Sequence, residues 1–170
     1  GAQIRQSDAV GGNDTTSPFL ELALRSQINE QFSVRGFARY SVEDYDTTRN
    51  LDTDGDGFLE TYDFDGRETL RIGVSGEYVV SSKLSFFADV NYVPSTFDDG
   101  RLVRDPVGAF APATAAGVSE DLINFSIGAS VQLLENVYGS VSYNYTDSDS
   151  DFTNFTYDRN RINVGVRAEF

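Results

Sequence analysis

Apolar and polar residues alternate along most of this chain with a period of two, the repeat of an extended strand and not of a helix. Seven segments carry the pattern. The first sets Leu20, Leu22 and Leu24 against Glu21, Ala23 and Arg25. The second puts Phe32, Val34, Gly36, Ala38, Tyr40 and Val42 on one face, with Gln31, Ser33, Arg35, Phe37, Arg39 and Ser41 on the other. The third sets Leu70, Ile72, Val74, Gly76, Tyr78 and Val80 against Thr69, Arg71, Gly73, Ser75, Glu77 and Val79. The fourth opposes Leu84, Phe86, Ala88, Val90 and Tyr92 to Ser85, Phe87, Asp89 and Asn91. The fifth carries Ile123 to Leu133, the sixth Val137 to Tyr145 and the last Ile162 to Phe170 on their apolar faces. Each run is about 9–12 residues, the length a tilted strand needs to cross a bilayer.

The connections predicted between these strands alternate in length. Short turns fall near Ile28–Gln31, Val80–Lys83 and Leu134–Asn136. Long polar loops fall near Glu43–Glu68, Pro94–Asp121 and Thr146–Asn160. Pro18, Pro94, Pro106 and Pro112 all lie in or beside loops, where a missing N–H does no harm. Counting strands back from the C-terminus calls for one more before Phe19, and only Ala2–Ser7 is available, with Ile4 as its one large apolar residue.

The expected fold is therefore all-β: a single domain over 1–170, a transmembrane antiparallel up-and-down β-barrel of about eight strands, with short periplasmic turns and long acidic extracellular loops. A soluble barrel alternates too, with its apolar face inside. Three features favour the inverted arrangement. The apolar face carries almost no charge. Its aromatics, Phe32, Tyr40, Tyr78, Phe86, Tyr92, Tyr143, Tyr145 and Phe170, gather towards the strand ends, as interfacial girdles do. The polar face mixes both signs of charge with small residues: Arg25, Arg35, Arg39, Arg71, Arg161 and Arg167 beside Glu21, Glu77, Asp89 and Glu169. An eight-stranded barrel has an interior just wide enough for side chains to fill. Such groups are expected to form a lumen ion-pair network, a structural plug, with an anion-selective pore as the alternative.

Composition narrows the function. The 170 residues include no cysteine, methionine, tryptophan or histidine. Disulfides, thiolate metal sites and cysteine nucleophiles are excluded, and the commonest general base is missing. The chain is expected not to be an enzyme. No apolar run of about 18 residues offers a transmembrane helix. The missing methionine implies a chain that begins after processing. A net charge of −14 argues against nucleic acid as a partner.

The C-terminal run from Asn160 to Phe170, alternating and closing on an aromatic, resembles the terminal β-signal of bacterial outer-membrane proteins. That resemblance implies recognition by the barrel-assembly machinery through Phe170, although Ala168 stands where a larger apolar residue is frequent. From about Phe19 to Phe170 the chain is similar in pattern to the small barrels of the OmpA-transmembrane and OmpX class. Its last strands also resemble the C-terminal part of larger β-barrel porins. The histidine on which the enzymatic barrels of this membrane rely is absent. Outer-membrane lipid and lipopolysaccharide are the implied surroundings; the residues leave any oligomer open.

The sharpest local motif is Asp52-Thr-Asp-Gly-Asp-Gly-Phe-Leu-Glu-Thr-Tyr-Asp63, which resembles an EF-hand or dockerin calcium loop. Asp52, Asp54 and Asp56 would supply side-chain oxygens, Phe58 its carbonyl, Glu60 the water-mediated position and Asp63 the twelfth. Asp63 stands where a bidentate Glu is usual, and the flanking segments are strands. The alternative is a hydrated acidic loop. Ten of the 27 carboxylates fall between Glu43 and Glu68, so either reading is strongly anionic. A calcium-dependent adhesion module and a fragment of a larger anion-preferring porin are the competing functions.

Overall fold

The structure is a computed structural model that describes residues 18–53, 55, 57–106, 112–152 and 154–168. Among the described residues there is no helix, and nine strands form one antiparallel sheet. They are β1 (Phe19–Gln27), β2 (Phe32–Leu51), β3 (Glu60–Ser81), β4 (Leu84–Phe97), β5 (Gly100–Arg104), β6 (Thr114–Ala115), β7 (Ser119–Leu134), β8 (Val137–Ser150) and β9 (Tyr157–Ala168). The seven long strands follow each other in the order β1-β2-β3-β4-β7-β8-β9. They contain the seven alternating segments. The turns at one end are as short as the sequence implies. At Asn29, for example, the side-chain oxygen accepts from the N–H groups of Gln31 and Phe32 at 2.9 and 2.8 Å, which closes the β1–β2 turn.

The other end departs from expectation. The long loops are mostly strand. β2 and β3 stay paired up to Leu51↔Glu60, which leaves only 52–59 as a connection. β5 continues the line of β4 along β3, pairing Asp63↔Arg101 after Arg67↔Phe97, and β6 returns against β5. β7 and β8 pair up to Glu120↔Ser150. Backbone pairing needs no apolar face, and in these extensions the alternation shrinks to short stretches such as Tyr62 and Phe64 between Thr61, Asp63 and Asp65. A bulge in β2 between Asp44 and Thr47 marks the change of character.

The sheet is not closed into a barrel. β1 and β9 do not pair with each other among the described residues. Every neighbouring pair of the seven is antiparallel, so the first and seventh strands run the same way. Antiparallel closure would need a strand of opposite direction between them. The segment expected to supply it, Ala2–Ser7, lies outside the described residues, as do Glu169 and Phe170. The sheet is nonetheless curled at its loop end, where the Arg49 guanidinium of β2 lies 4.8 Å from the ring of Phe155 in the β8–β9 connection.

Burial distinguishes the two faces. Ser33, Ser41, Asn91, Ser95 and Thr146, all on the polar face, are buried. The apolar face is exposed: Ile72, Val74, Phe86, Ile127 and Val141 keep 45–49% of their surface open. On the edge strands the figures rise, to 71, 65 and 70% at Leu20, Leu22 and Leu24, and to 74, 79 and 73% at Ile162, Val164 and Val166. The sheet therefore curves with its polar face inside. The buried apolar core lies elsewhere, at the loop end, in Leu51, Tyr62, Phe64, Phe97, Ala115, Val118 and Phe152.

Candidate functional site: the inner face and the loop-end cap

Register decides which polar side chains meet on the inner face. Glu21 stands opposite Arg39, Arg25 opposite Arg35, and Arg39 opposite Arg71. Glu77 faces Ser33 and Phe87, and Asp89 faces Ser75 and Ser126. Seven of the charged residues expected to line an interior thus share one surface: Glu21, Arg25, Arg35, Arg39, Arg71, Glu77 and Asp89. Arg167 lies apart, opposite Tyr138, in a recess with Ser130 and Ser140.

Within the shared surface, the described residues form a single ion pair within 4 Å, Arg35–Glu21 at 3.5 Å, with both side chains a third or more exposed. At such exposure a pair contributes only about 0.2–1 kcal/mol. The guanidinium groups are held mainly by rings. Arg39 lies 3.8 Å from the centroid of Phe19, while Arg35 and Arg71 lie 5.3 and 5.8 Å from that of Phe37.

Phe37 and Phe87 are apolar residues on the polar face, and each stands opposite a glycine: Phe37↔Gly73 and Phe87↔Gly128. A Cβ at Gly73 would sit 2.6 Å from the Phe37 ring, and one at Gly128 2.4 Å from the Phe87 ring. The rings therefore lie flat across the neighbouring strand and fill inner space. This phenylalanine–glycine pairing was readable as an exception to the alternation.

Beyond Asp89, the inner face from Asn91 across Asn124 to Thr146 is neutral. Asn124 donates to Asn91 at 3.3 Å and accepts from the Thr146 hydroxyl at 2.9 Å, following the register Asn91↔Asn124↔Thr146. The Thr69 and Ser95 hydroxyls meet at 3.1 Å. These bonds satisfy buried groups that would otherwise each cost about 1–3 kcal/mol. One group of charges lies on β1–β4, the amide network links β4, β7 and β8, and Arg161 and Arg167 stand on β9.

Three of the expected calcium residues, Asp52, Glu60 and Asp63, accept hydrogen bonds within the hairpin. Asp52 accepts from the N–H groups of Gly55 and Gly57 at 2.7 and 3.1 Å, in a turn whose glycines have φ of +78° and +86°. Glu60 is buried, and its carboxylate accepts from the Thr53 N–H and hydroxyl at 2.9 and 3.0 Å. Asp63 lies on β3 and accepts from the Thr48 hydroxyl at 2.7 Å across the pair β2–β3. Phe58 is exposed on the loop. Asp54 and Asp56 lie outside the described residues, among which no group of three carboxylates is assembled to hold a metal. Asp52, Glu60 and Asp63 each accept hydrogen bonds that organise the hairpin.

Glu60 is also part of the cap. The Thr53 hydroxyl that it holds is 3.1 Å from the Tyr62 hydroxyl, which donates to the Pro112 carbonyl at 3.0 Å. Below this chain of bonds three rings meet edge to face: Phe64–Phe97, Phe64–Phe152 and Phe97–Phe152, with centroids 5.8, 5.3 and 4.7 Å apart. Such pairs add about 0.5–1.5 kcal/mol beyond area burial. Arg67 pairs with Glu43 beside Phe97. The loop end is thus a packed cap, with Phe152 tying the β8–β9 connection to β3 and β4.

No family model matches this chain, and no curated protein matches it in sequence.

Proposed function

We propose that this protein is an integral β-barrel of a bacterial outer membrane, of the small OmpA-transmembrane and OmpX type, with an envelope-stabilising or narrow-pore role. One observation carries the reading: the curved sheet buries its serines, asparagine and threonine and leaves its apolar face open. In water that inversion would be costly; in lipid it is the stable arrangement. The dimensions agree. The apolar face of β3 from Leu70 to Val80 covers about 33 Å along the strand, hence about 25 Å at a tilt of about 40°. Aromatic rows bound it. Phe32, Tyr78 and Phe86 are adjacent in register near the turns, and Tyr40, Tyr92, Tyr143 and Tyr145 lie towards the cap. Barrel-assembly machinery and outer-membrane lipid are the partners this reading calls for.

The test is partition of the purified chain into detergent and lipid vesicles, with heat-modifiable migration on gels and β-type circular dichroism. A chain that is a water-soluble monomer without detergent overturns the proposal.

The edges of β1 and β9, unpaired among the described residues, favour a second reading, in which these strands are part of a larger barrel with a transport function. The length of the barrel-forming polypeptide, read from the intact mass of the native protein and its full gene, separates the two.

A further inference from the structure

The inner face carries more guanidinium charge than its carboxylates neutralise, and the strands bring that charge together. Two arginine pairs stand directly opposite each other in register, Arg25↔Arg35 and Arg39↔Arg71. Like charges opposed across strands are destabilising, and arginine cannot relieve the repulsion by losing its proton. Among the described residues no carboxylate lies within 4 Å of Arg25, Arg39 or Arg71; Glu21 is engaged with Arg35.

The local packing keeps these groups where they are. Phe37 is seated over Gly73 and has Arg35 and Arg71 beside its ring; Phe19 has Arg39 over its own. A guanidinium held against a ring still presents N–H donors around its rim, in the fork geometry that matches a tetrahedral or planar oxyanion. Arg35, Arg39 and Arg71 line one recess of about 380 Å³, together with Ser75 and Asn91 as further donors. The carboxylates facing that recess are Glu21 and Asp89. Three fixed positive charges against two negative ones leave an excess of one.

We propose that this recess, between β1 and β4 on the inner face, is an oxyanion-binding site of the phosphate class, with Arg39 and Arg71 as its principal donors and Arg35 shared with Glu21. The proposal rests on the reading of the polar face as a water-filled interior, and it names what that interior takes. The recess opens on the concave side, away from the apolar face, so the ligand is a free anion and not a lipid headgroup.

The experiment is a calorimetric titration of the detergent-folded protein with inorganic phosphate at low ionic strength. The same titration is run on the Arg39→Gln/Arg71→Gln double variant and on Lys83→Gln, which removes one positive charge at a turn. Saturable binding is expected in the native protein, at least tenfold weaker in the double variant and unchanged in Lys83→Gln. Heat-modifiable migration monitors folding. If the double variant does not fold, Arg71→Lys is used: it keeps the charge but loses the fork, and weaker binding is expected again. Absence of saturable binding in the folded native protein, an equal loss in Lys83→Gln, or binding of a short-chain phospholipid but not of inorganic phosphate overturns the site. A chain that enters detergent yet binds no phosphate overturns the site and leaves the barrel standing. One that binds phosphate but stays soluble without detergent overturns the barrel and leaves the site.

Discussion

β3 passes through two regions that use the same kind of residue in opposite ways. From Leu70 to Tyr78 its large apolar side chains are exposed and the polar ones line the curve. From Glu60 to Phe64 its aromatic side chains are buried against β5, β4 and the β8–β9 connection, and even a carboxylate is enclosed. One strand cannot have two intrinsic preferences, so the difference belongs to the surroundings. The cap packs as a water-exposed domain does, with rings inside. The band below packs the other way, with its apolar side chains outward. The contrast within one continuous strand supports the proposed membrane boundary close to Leu70 more directly than composition does.

The comparison can be broken from either side. The largest effect is expected in the cap: Phe152→Ala removes a ring shared by three aromatic contacts and should cost about 3–5 kcal/mol there. Hydrogen exchange should show the loss at the amides of Tyr62, Phe64 and Phe97, with β3 below Leu70 unchanged; uniform loss would make cap and band one unit. Next is Val74→Arg, at the middle of the apolar face. In a lipid-embedded barrel it should cost about 2–4 kcal/mol in vesicle refolding titrations, whereas on a water-facing surface the change would be within about 0.5 kcal/mol. Third, Glu60→Ala leaves the Thr53 N–H without its acceptor and should cost about 1–3 kcal/mol of cap stability, in calcium-free buffer as much as with calcium present. A loss appearing only with calcium would restore the metal reading of the hairpin. The smallest is Glu21→Gln, expected to change global stability by less than about 1 kcal/mol in a denaturant titration. A larger loss would mean that Glu21 neutralises more of the arginine cluster than its one ion pair indicates.

The band was legible in the sequence because each of its strands has two different environments to satisfy, and alternation records both. Where β2 and β3 run on past Val42 and below Glu68, both faces carry polar residues and the record stops. Asp63, Tyr62 and Thr48 therefore resembled loop chemistry when they are ladder positions. The Asp52–Asp63 spacing suggested a cation loop because carboxylates that cap glycine turns and carboxylates that hold ions occupy similar positions in a chain. Glu60, directed inward to Thr53, serves the turn here. The inner face was half legible. Its charges share the polar face with the buried serines, but spacing along single strands could not show that Arg39 and Arg71 would face each other, since cross-strand register is set by the turns. Phe37 and Phe87 stand among polar residues in the sequence, and only the register shows Gly73 and Gly128 opposite them.

Among the described residues the number of long strands is odd, which has a consequence for neighbouring copies. β1 and β9 point the same way, so two molecules inserted with a common orientation could bring their edges together only in parallel, never extending each other's antiparallel ladder. Open edges are ordinarily the sites at which sheets polymerise. Here direction alone withholds the antiparallel match from identical neighbours and reserves it for a strand running the other way.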